Sequence, residues 1–415
     1  MPEPALTEPV KPAAPAPSPS PSPAKSARQV PALWLALLAT PIAAGANSPV
    51  LILPEMAGSF GVRPASATWL VTAFAWAMAV GTPLMAGLLR LRGLRTTLRV
   101  STVLVLAGTL VAALAPWMAL ALPGRAAQAV GGAGLITSAM SLAGSVRRMG
   151  VITAGFGVLG AVGPLLGSLI ADALSWRVSL AVSALALLAV PAVTRTAPRI
   201  PPTTAAPFDA RGASLLVALA TALVFIPHCP LPAAGAALAV AGLLTAHVRA
   251  RPDGFVPATL LRTPAFLSAA LLACALSTSY FTLLFAIPQL LAARTHWSTA
   301  TIGSGQLLAL LTGSFLSLAL AAVSARLGRR RVLTVLITLG ALAPVTAAVS
   351  PWAPLLLLVA AMAVFTTTAG NATLAVYATQ VAPDAQRPTV IGLFSLCYQL
   401  GGAFGPAIAA LITLT

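Results

Sequence analysis

Residues 159–167 read Leu159-Gly160-Ala161-Val162-Gly163-Pro164-Leu165-Leu166-Gly167, an apolar run punctuated by three glycines and one proline. Glycine lets a neighbouring helix backbone come close, and proline frees a carbonyl and bends the axis, so the run makes a kinked packing surface. A near copy stands at the far end of the chain, Gly401-Gly402-Ala403-Phe404-Gly405-Pro406-Ala407-Ile408-Ala409. A second echo pairs Arg90-Leu91-Arg92-Gly93-Leu94-Arg95 with Ala325-Arg326-Leu327-Gly328-Arg329-Arg330. Two similar halves placed around two extra helices account for this spacing, and repeated halves flanking a midplane site are typical of secondary transporters.

Composition sets the solvent in which such halves fold. The 415 residues are 58% hydrophobic and 7% charged, with a mean hydropathy of +0.95, values of an all-α integral membrane protein rather than a soluble one. The formal charge of +17 reads as cytoplasmic loops meeting anionic lipid. The basic residues are spread over many loops, which argues against a nucleic-acid partner. Cys229, Cys274 and Cys397 lie far apart in sequence with no CxxC or His-Cys cluster, so neither a disulfide framework nor a metal site is expected.

Residues 1–30, with nine prolines, read as a disordered cytoplasmic Pro/Ser/Ala tail. Beyond it, charged, Pro and Gly punctuation leaves about thirteen apolar segments, each near the ~20 residues that a spanning helix needs. Their limits are 31–53, 66–89, 98–115, 117–144, 149–173, 178–194, 211–227, 230–248, 265–290, 300–324, 332–349, 353–378 and 388–413. With the tail inside, 20 of the 24 Lys and Arg fall on the cytoplasmic side, which sets the orientation. The exceptions are Arg63, Arg177 and Arg294 at the outer side and Arg125 within a helix. The expected organisation is an N-terminal helix bundle at 31–195, a linker with two extra transmembrane helices at 196–262, and a C-terminal bundle at 263–415.

With these elements in place, the chain from about residue 35 onward resembles the major facilitator superfamily, specifically the drug–proton antiporter branch with fourteen helices. The most specific match is the antiporter motif carried by Gly160, Gly163, Pro164 and Gly167, followed by Trp176-Arg177. A second is Arg125-Ala126-Ala127-Gln128-Ala129-Val130-Gly131-Gly132-Ala133, similar to a family run whose Arg is linked to proton coupling or substrate response. Arg125 sits about nine residues into its helix, roughly 13 Å from the outer surface, where a cation is expensive and by default functional. The alternative is a structural cation satisfied by backbone carbonyls. Leu53-Pro54, Trp69-Leu70-Val71-Thr72-Ala73-Phe74, Phe266, Pro288-Gln289 and Asp209-x-x-Gly212 also match the branch. The resemblance implies the major facilitator fold, two pseudo-symmetric six-helix bundles with two inserted helices.

The departures bear on mechanism. In the cytoplasmic-loop motif (Arg90, Gly93, Arg95 and, in the second half, Gly328, Arg329, Arg330), Arg90 stands where the family has an Asp, and the second copy also lacks its acid. The branch's first-helix Asp is replaced by Gly45-Ala46-Asn47-Ser48. Reversible protonation in a membrane normally uses a buried carboxylate or His. The seven acids, Glu3, Glu8, Glu55, Asp172, Asp209, Asp253 and Asp384, all fall outside helix centres, so a proton would be carried at the outer mouth by Glu55 or Asp172, or not at all. The C-terminal bundle is also expected to lack its last helix.

The expected cavity is lined by Asn47, Thr72, Trp76, Thr137, Tyr280, Thr282, Gln289, Asn371, Tyr377, Tyr398 and Gln399, with Phe74, Phe281 and Phe394 between them. Polar but uncharged walls with aromatic rings suit large amphipathic molecules. The resulting expectation is a monomeric exporter of drugs or natural products in the plasma membrane, working by alternating access and proton antiport, with the proton gradient and no cofactor as energy source. An intramembrane enzyme is disfavoured, because no Ser-His or Asp-Asp pair stands at membrane depth. A degenerate transporter fold serving as sensor or assembly partner, or an uncoupled facilitator, remains the alternative.

Overall fold

A computed structural model of the chain describes residues 30–143, 146–197, 208–252, 254–350, 352–380 and 387–413. The expected tail lies almost wholly outside the described residues, as do 198–207 of the expected linker and the acids Asp253 and Asp384. Every described secondary-structure element is helical. The long helices are α1 (Ala32–Val50), α2 (69–92), α3 (94–114), α4 (Met118–Ala143), α5 (Val146–Ala173), α6 (Trp176–Thr196), α7 (Ala210–Phe225), α8 (Pro230–Ala250), α9 (Pro264–Arg294), α10 (Thr299–Leu327), α11 (Arg329–Val349), α12 (Ala353–Gln380) and α13 (Arg387–Thr413).

Eleven stretches among the described residues are long and apolar enough to cross a membrane. One of them, the 51-residue Pro64–Leu114, covers two of the expected segments, and the 16-residue α7 is a shorter apolar helix. Each expected segment therefore has a helical counterpart. The loop expected at 90–97 does not form. Helical geometry runs through it except at Gly93, whose φ of 76° and ψ of 175° turn the chain back within one residue.

Two helices are less regular than their apolarity suggests. α1 breaks at Thr40, just before Pro41, and ends in a 3-10 turn at Ser48–Val50 that contains Pro49; proline supplies no backbone donor and clashes with the carbonyl four residues back. In α6 the central Leu180–Ala189 is a 3-10 helix.

The glycine runs do the packing expected of them. A Cβ on Gly163 would stand 2.8 Å from the Ala44 carbonyl oxygen, and one on Gly167 would collide with that of Ser48. The motif therefore lays α5 directly on the α1 backbone. In the second half, a Cβ on Gly401 would stand 2.6 Å from the Cys274 oxygen, and one on Gly405 would strike Phe281, so α13 lies on α9 in the same way. Cys274 and Cys397, distant in sequence, become neighbours across this α9–α13 contact; all three cysteines are free.

At the end opposite the arginine clusters, one apolar cluster joins the halves. It contains Val50, Leu53, Ala57, Ala67 and Val71 from the first half and Leu284, Ile287, Ile302, Ala347 and Leu356 from the second. At the arginine-rich end, Ala79 and Val80 of α2 share a cluster with Val390, Leu393 and Phe394 of α13. The helices α7 and α8 pack on each other, and α7 rests on α2 and α13. Trp69 stacks on Phe225 and His228 with ring centroids 5.2 and 4.2 Å apart. Positions 69, 76 and 87 fall on one face of α2 at helical spacing, and that face meets Phe225, Thr221 and Phe208 in turn.

Candidate functional site

Among the described residues, the buried charged side chain is Arg125, wholly shielded from solvent in α4. Its Nη1 donates to Oε1 of Gln128 one turn on, at 2.5 Å, and its Nη2 donates to the Gly45 carbonyl of α1 at 3.2 Å. The guanidinium lies over the Phe74 ring, 4.3 Å from its centroid. Gln128 in turn donates through Nε2 to Thr109 Oγ1 at 2.9 Å and to the Leu180 carbonyl at 2.8 Å. One Arg–Gln pair thus ties five helices of the first half. Arg125 Nε has no hydrogen-bond partner, and neither of the neutral groups that hold its Nη atoms is a carboxylate. A guanidinium is not deprotonated in proteins, so a net positive charge stays inside the bundle.

A second polar cluster lies on the seam between the halves. Asn47 of α1 donates through Nδ2 to the Gly160 carbonyl of the α5 glycine run at 2.9 Å. Across the seam, the Tyr280 hydroxyl of α9 lies within reach of the Asn47 side chain and faces that of Tyr398 on α13. Tyr398 in turn faces Thr367 of α12. Tyr280 is 7% exposed, and Thr72 and Thr367 are buried at 1% and 2%; the Thr72 hydroxyl has no hydrogen-bond partner among the described residues. Tyr280 and Phe281 pack with centroids 4.8 Å apart. The arrangement is an uncharged chain of side chains contributed by both halves.

Other expected site residues go elsewhere. Trp76 donates through Nε1 to Thr221 Oγ1 of α7 at 3.1 Å, so its indole faces that helix. Glu55, in the first turn of the short helix Leu53–Phe60, and Asp172, in the last turn of α5, are exposed and are not brought to Arg125. Gln289, Asn371 and Gln399 are half-buried in α9, α12 and α13. At the arginine-rich end, Arg90 donates through Nη1 to Thr389 Oγ1 at 3.3 Å, linking the halves. Arg329 lies 4.5 Å from the Tyr377 centroid, which places Tyr377 beside the end of its helix rather than at mid-depth. Arg95 and Arg330 are exposed.

A further cluster is only half visible in the sequence. Asp209 caps α7 by accepting from the Gly212 N–H at 3.0 Å, accepts from the Phe255 N–H at 2.9 Å, and pairs with His247 Nε2 of α8 at 2.9 Å. Burial alone would raise its pKa, but the two backbone donors and His247 outweigh burial and hold it at about 2. Phe208 and Phe255 flank it edge to face, 5.7 Å apart, and Phe208 covers Gly87 of α2. Asp209-x-x-Gly212 is a visible signal; nothing in the sequence joins it to His247.

Two helical halves that repeat their glycine contacts, with a polar seam between them, agree with a family match over almost the whole chain. The profile described as Major Facilitator Superfamily matches residues 33–267 and 269–415. The chain belongs to this superfamily. Among curated relatives, MFS transporter L2 of a Phoma species is 32% identical over 152 residues, 35% of this chain and 25% of that protein. An uncharacterized MFS-type transporter of Mycobacterium tuberculosis is 33% identical over 168 residues, 37% of this chain and 24% of its own length. YvkA of Bacillus subtilis, also an uncharacterized MFS-type transporter, is 31% identical over 161 residues, 37% of this chain and 36% of its length. The chain thus spans about a quarter to a third of these relatives.

Solved structures extend the likeness across the fold. The human organic anion transporter MFSD10 superposes with a TM-score of 0.64 at 18% identity, covering 94% of both chains. A POT family transporter gives 0.66 at 12% identity, covering 92% of this chain and 90% of that one. At such identities the likeness is one of fold alone. The protein is a multi-pass membrane protein of a transporter superfamily.

Proposed function

We propose that this superfamily member exports amphipathic small molecules, drugs or natural products, from the cytoplasm across the plasma membrane by alternating access. The observation that carries the reading is the seam cluster: Asn47 from one half and Tyr280 and Tyr398 from the other meet where rocking of the halves would expose them to each side in turn. The aromatic surface of Tyr280 and Phe281 offers stacking, and the amide and hydroxyls offer hydrogen bonds, a combination suited to amphipathic ligands. In this reading the N-terminus and arginine clusters are cytoplasmic, the working unit is a monomer, and proton antiport drives export without a cofactor.

The exposed carboxylates Glu55 and Asp172 are the proton-carrying groups in this scheme. A second reading, uncoupled facilitation or a sensor role on a transporter fold, is favoured by one observation: the buried cation Arg125 has no carboxylate among its partners. Export of amphipathic dyes from expressing cells, with and without a protonophore, separates these readings. Dye accumulation that falls on expression and recovers with protonophore supports antiport; faster equilibration in both directions with an unchanged final level supports facilitation. No change with folded protein in the membrane sinks the exporter reading.

A further inference from the structure

We infer that the seam site selects by charge, taking neutral and anionic aromatic amphiphiles and rejecting permanent cations. The inference rests on the reading of the seam as the transport site and adds the substrate class. The groups that meet there, Asn47, Tyr280, Tyr398 and Thr367, are all uncharged. Three of them carry hydroxyls. Such hydroxyls can donate to an oxyanion.

Among the described residues, the one charged side chain in the buried interior is positive. Arg125 Nη2 holds the Gly45 carbonyl, and Gly45 precedes Asn47 by two residues, about 3 Å of helix rise. The groups that hold its Nη atoms are neutral and its Nε is unpartnered, so no formal negative charge among its partners offsets it. Among the described residues, the acids that could compensate it stand elsewhere: Glu55 and Asp172 are exposed, and Asp209 is engaged by His247. At an effective dielectric of ~20 and a separation of ~10 Å, one unit charge favours a monoanion over a matched monocation by roughly a few hundredfold.

The test uses the full chain in lipid nanodiscs and two xanthene dyes of opposite charge, fluorescein and rhodamine 6G, with binding read by fluorescence polarisation. Fluorescein is expected to bind at least about tenfold more tightly, and Asn47→Asp to cut that ratio about tenfold or more. Tyr280→Phe is expected to weaken fluorescein binding while leaving the preference for the anion in place. Rhodamine 6G binding as well as or better than fluorescein to the unaltered chain overturns the inference, as does binding of neither dye. Should Asn47→Asp fail to fold, the ratio of the two dyes on the unaltered chain still decides for or against the charge rule. Uptake into proteoliposomes then judges the export reading separately. Selective fluorescein binding without movement keeps the charge rule and sinks export, whereas movement of rhodamine 6G alone keeps export and sinks the charge rule.

Discussion

Gly93 and Gly328 share one backbone conformation, with φ 76° in both and ψ 175° and 157°. They turn α2 into α3 and α10 into α11, at equivalent places in the two halves. This region of backbone space is essentially closed to residues with a side chain and costs about 1–3 kcal/mol when forced. A Cβ at Gly328 would meet no other atom, so any penalty there is conformational. Gly93→Ala and Gly328→Ala are each expected to lower the melting temperature in detergent, while Gly242→Ala, in α8 with open space around it, leaves it unchanged or raises it. Equal melting temperatures for all three variants would remove the turn argument.

The α5–α1 contact makes a separate demand. Gly167 lies against the Ser48 carbonyl and Gly163 against that of Ala44, so any side chain must part the two helices. Overpacking typically costs about 1–3 kcal/mol. Gly167→Val is expected to reduce folded protein in the membrane sharply, and Gly160→Ala, whose Cβ would stand at an ordinary 3.6 Å from Asn47 Nδ2, to be tolerated. Fluorescence-detected size exclusion of tagged variants reads both; a well-folded Gly167→Val would show that α5 has slack along α1.

Much of this fold is legible in the sequence because membrane helices announce themselves by length and apolarity. The paired glycine runs also point correctly to paired packing surfaces, since small residues are what let helix backbones touch. Long-range polar pairing is not legible. Nothing local in the sequence says that Trp76 turns to Thr221 or that His247 finds Asp209; those choices depend on where α7 and α8 settle beside α2. The single-residue turn at Gly93 is hidden because a charged stretch between apolar runs has the look of a loop, although Arg90, Arg92 and Arg95 can reach solvent from helix ends. Arg125 is legible as a buried cation, but its satisfaction by Gln128, Gly45 and Phe74 is not.

Asp209 gives a pH prediction whose sign follows from its depressed pKa. The carboxylate is held at about 2, below the ~3.9 of an unfolded Asp, so its stabilisation is fully present above the unfolded value and is lost as pH falls through about 2. Between pH 5 and 8 the Asp209 carboxylate itself therefore contributes no pH dependence to the attachment of α7 and α8. Asp209→Asn removes the charge and an acceptor that serve Gly212, Phe255 and His247 together, with an expected loss of about 1–3 kcal/mol. Thermal unfolding of the two proteins across pH 5–8 should give melting curves offset by a near-constant amount; an offset that vanishes at pH 5 would assign the clamp to another titrating group.

Arg125 is the sharpest test of function apart from fold. Its fork is shared between Gln128 and the Gly45 carbonyl, and its face lies on Phe74. A lysine has a single ammonium in place of the planar guanidinium and cannot reproduce both the fork and the stacked plane. Arg125→Ala is expected to abolish export while protein still reaches the membrane, because Gln128 keeps its bonds to Thr109 and Leu180. Arg125→Lys should retain charge and therefore the preference for anions, but lose most of the transport rate. Dye efflux from cells with matched membrane levels of each variant measures both effects. Unchanged export by Arg125→Ala would take the residue out of the transport cycle and leave it a packing cation; a lost rate in Arg125→Lys with intact dye binding would place its role in the movement of the first half rather than in holding substrate.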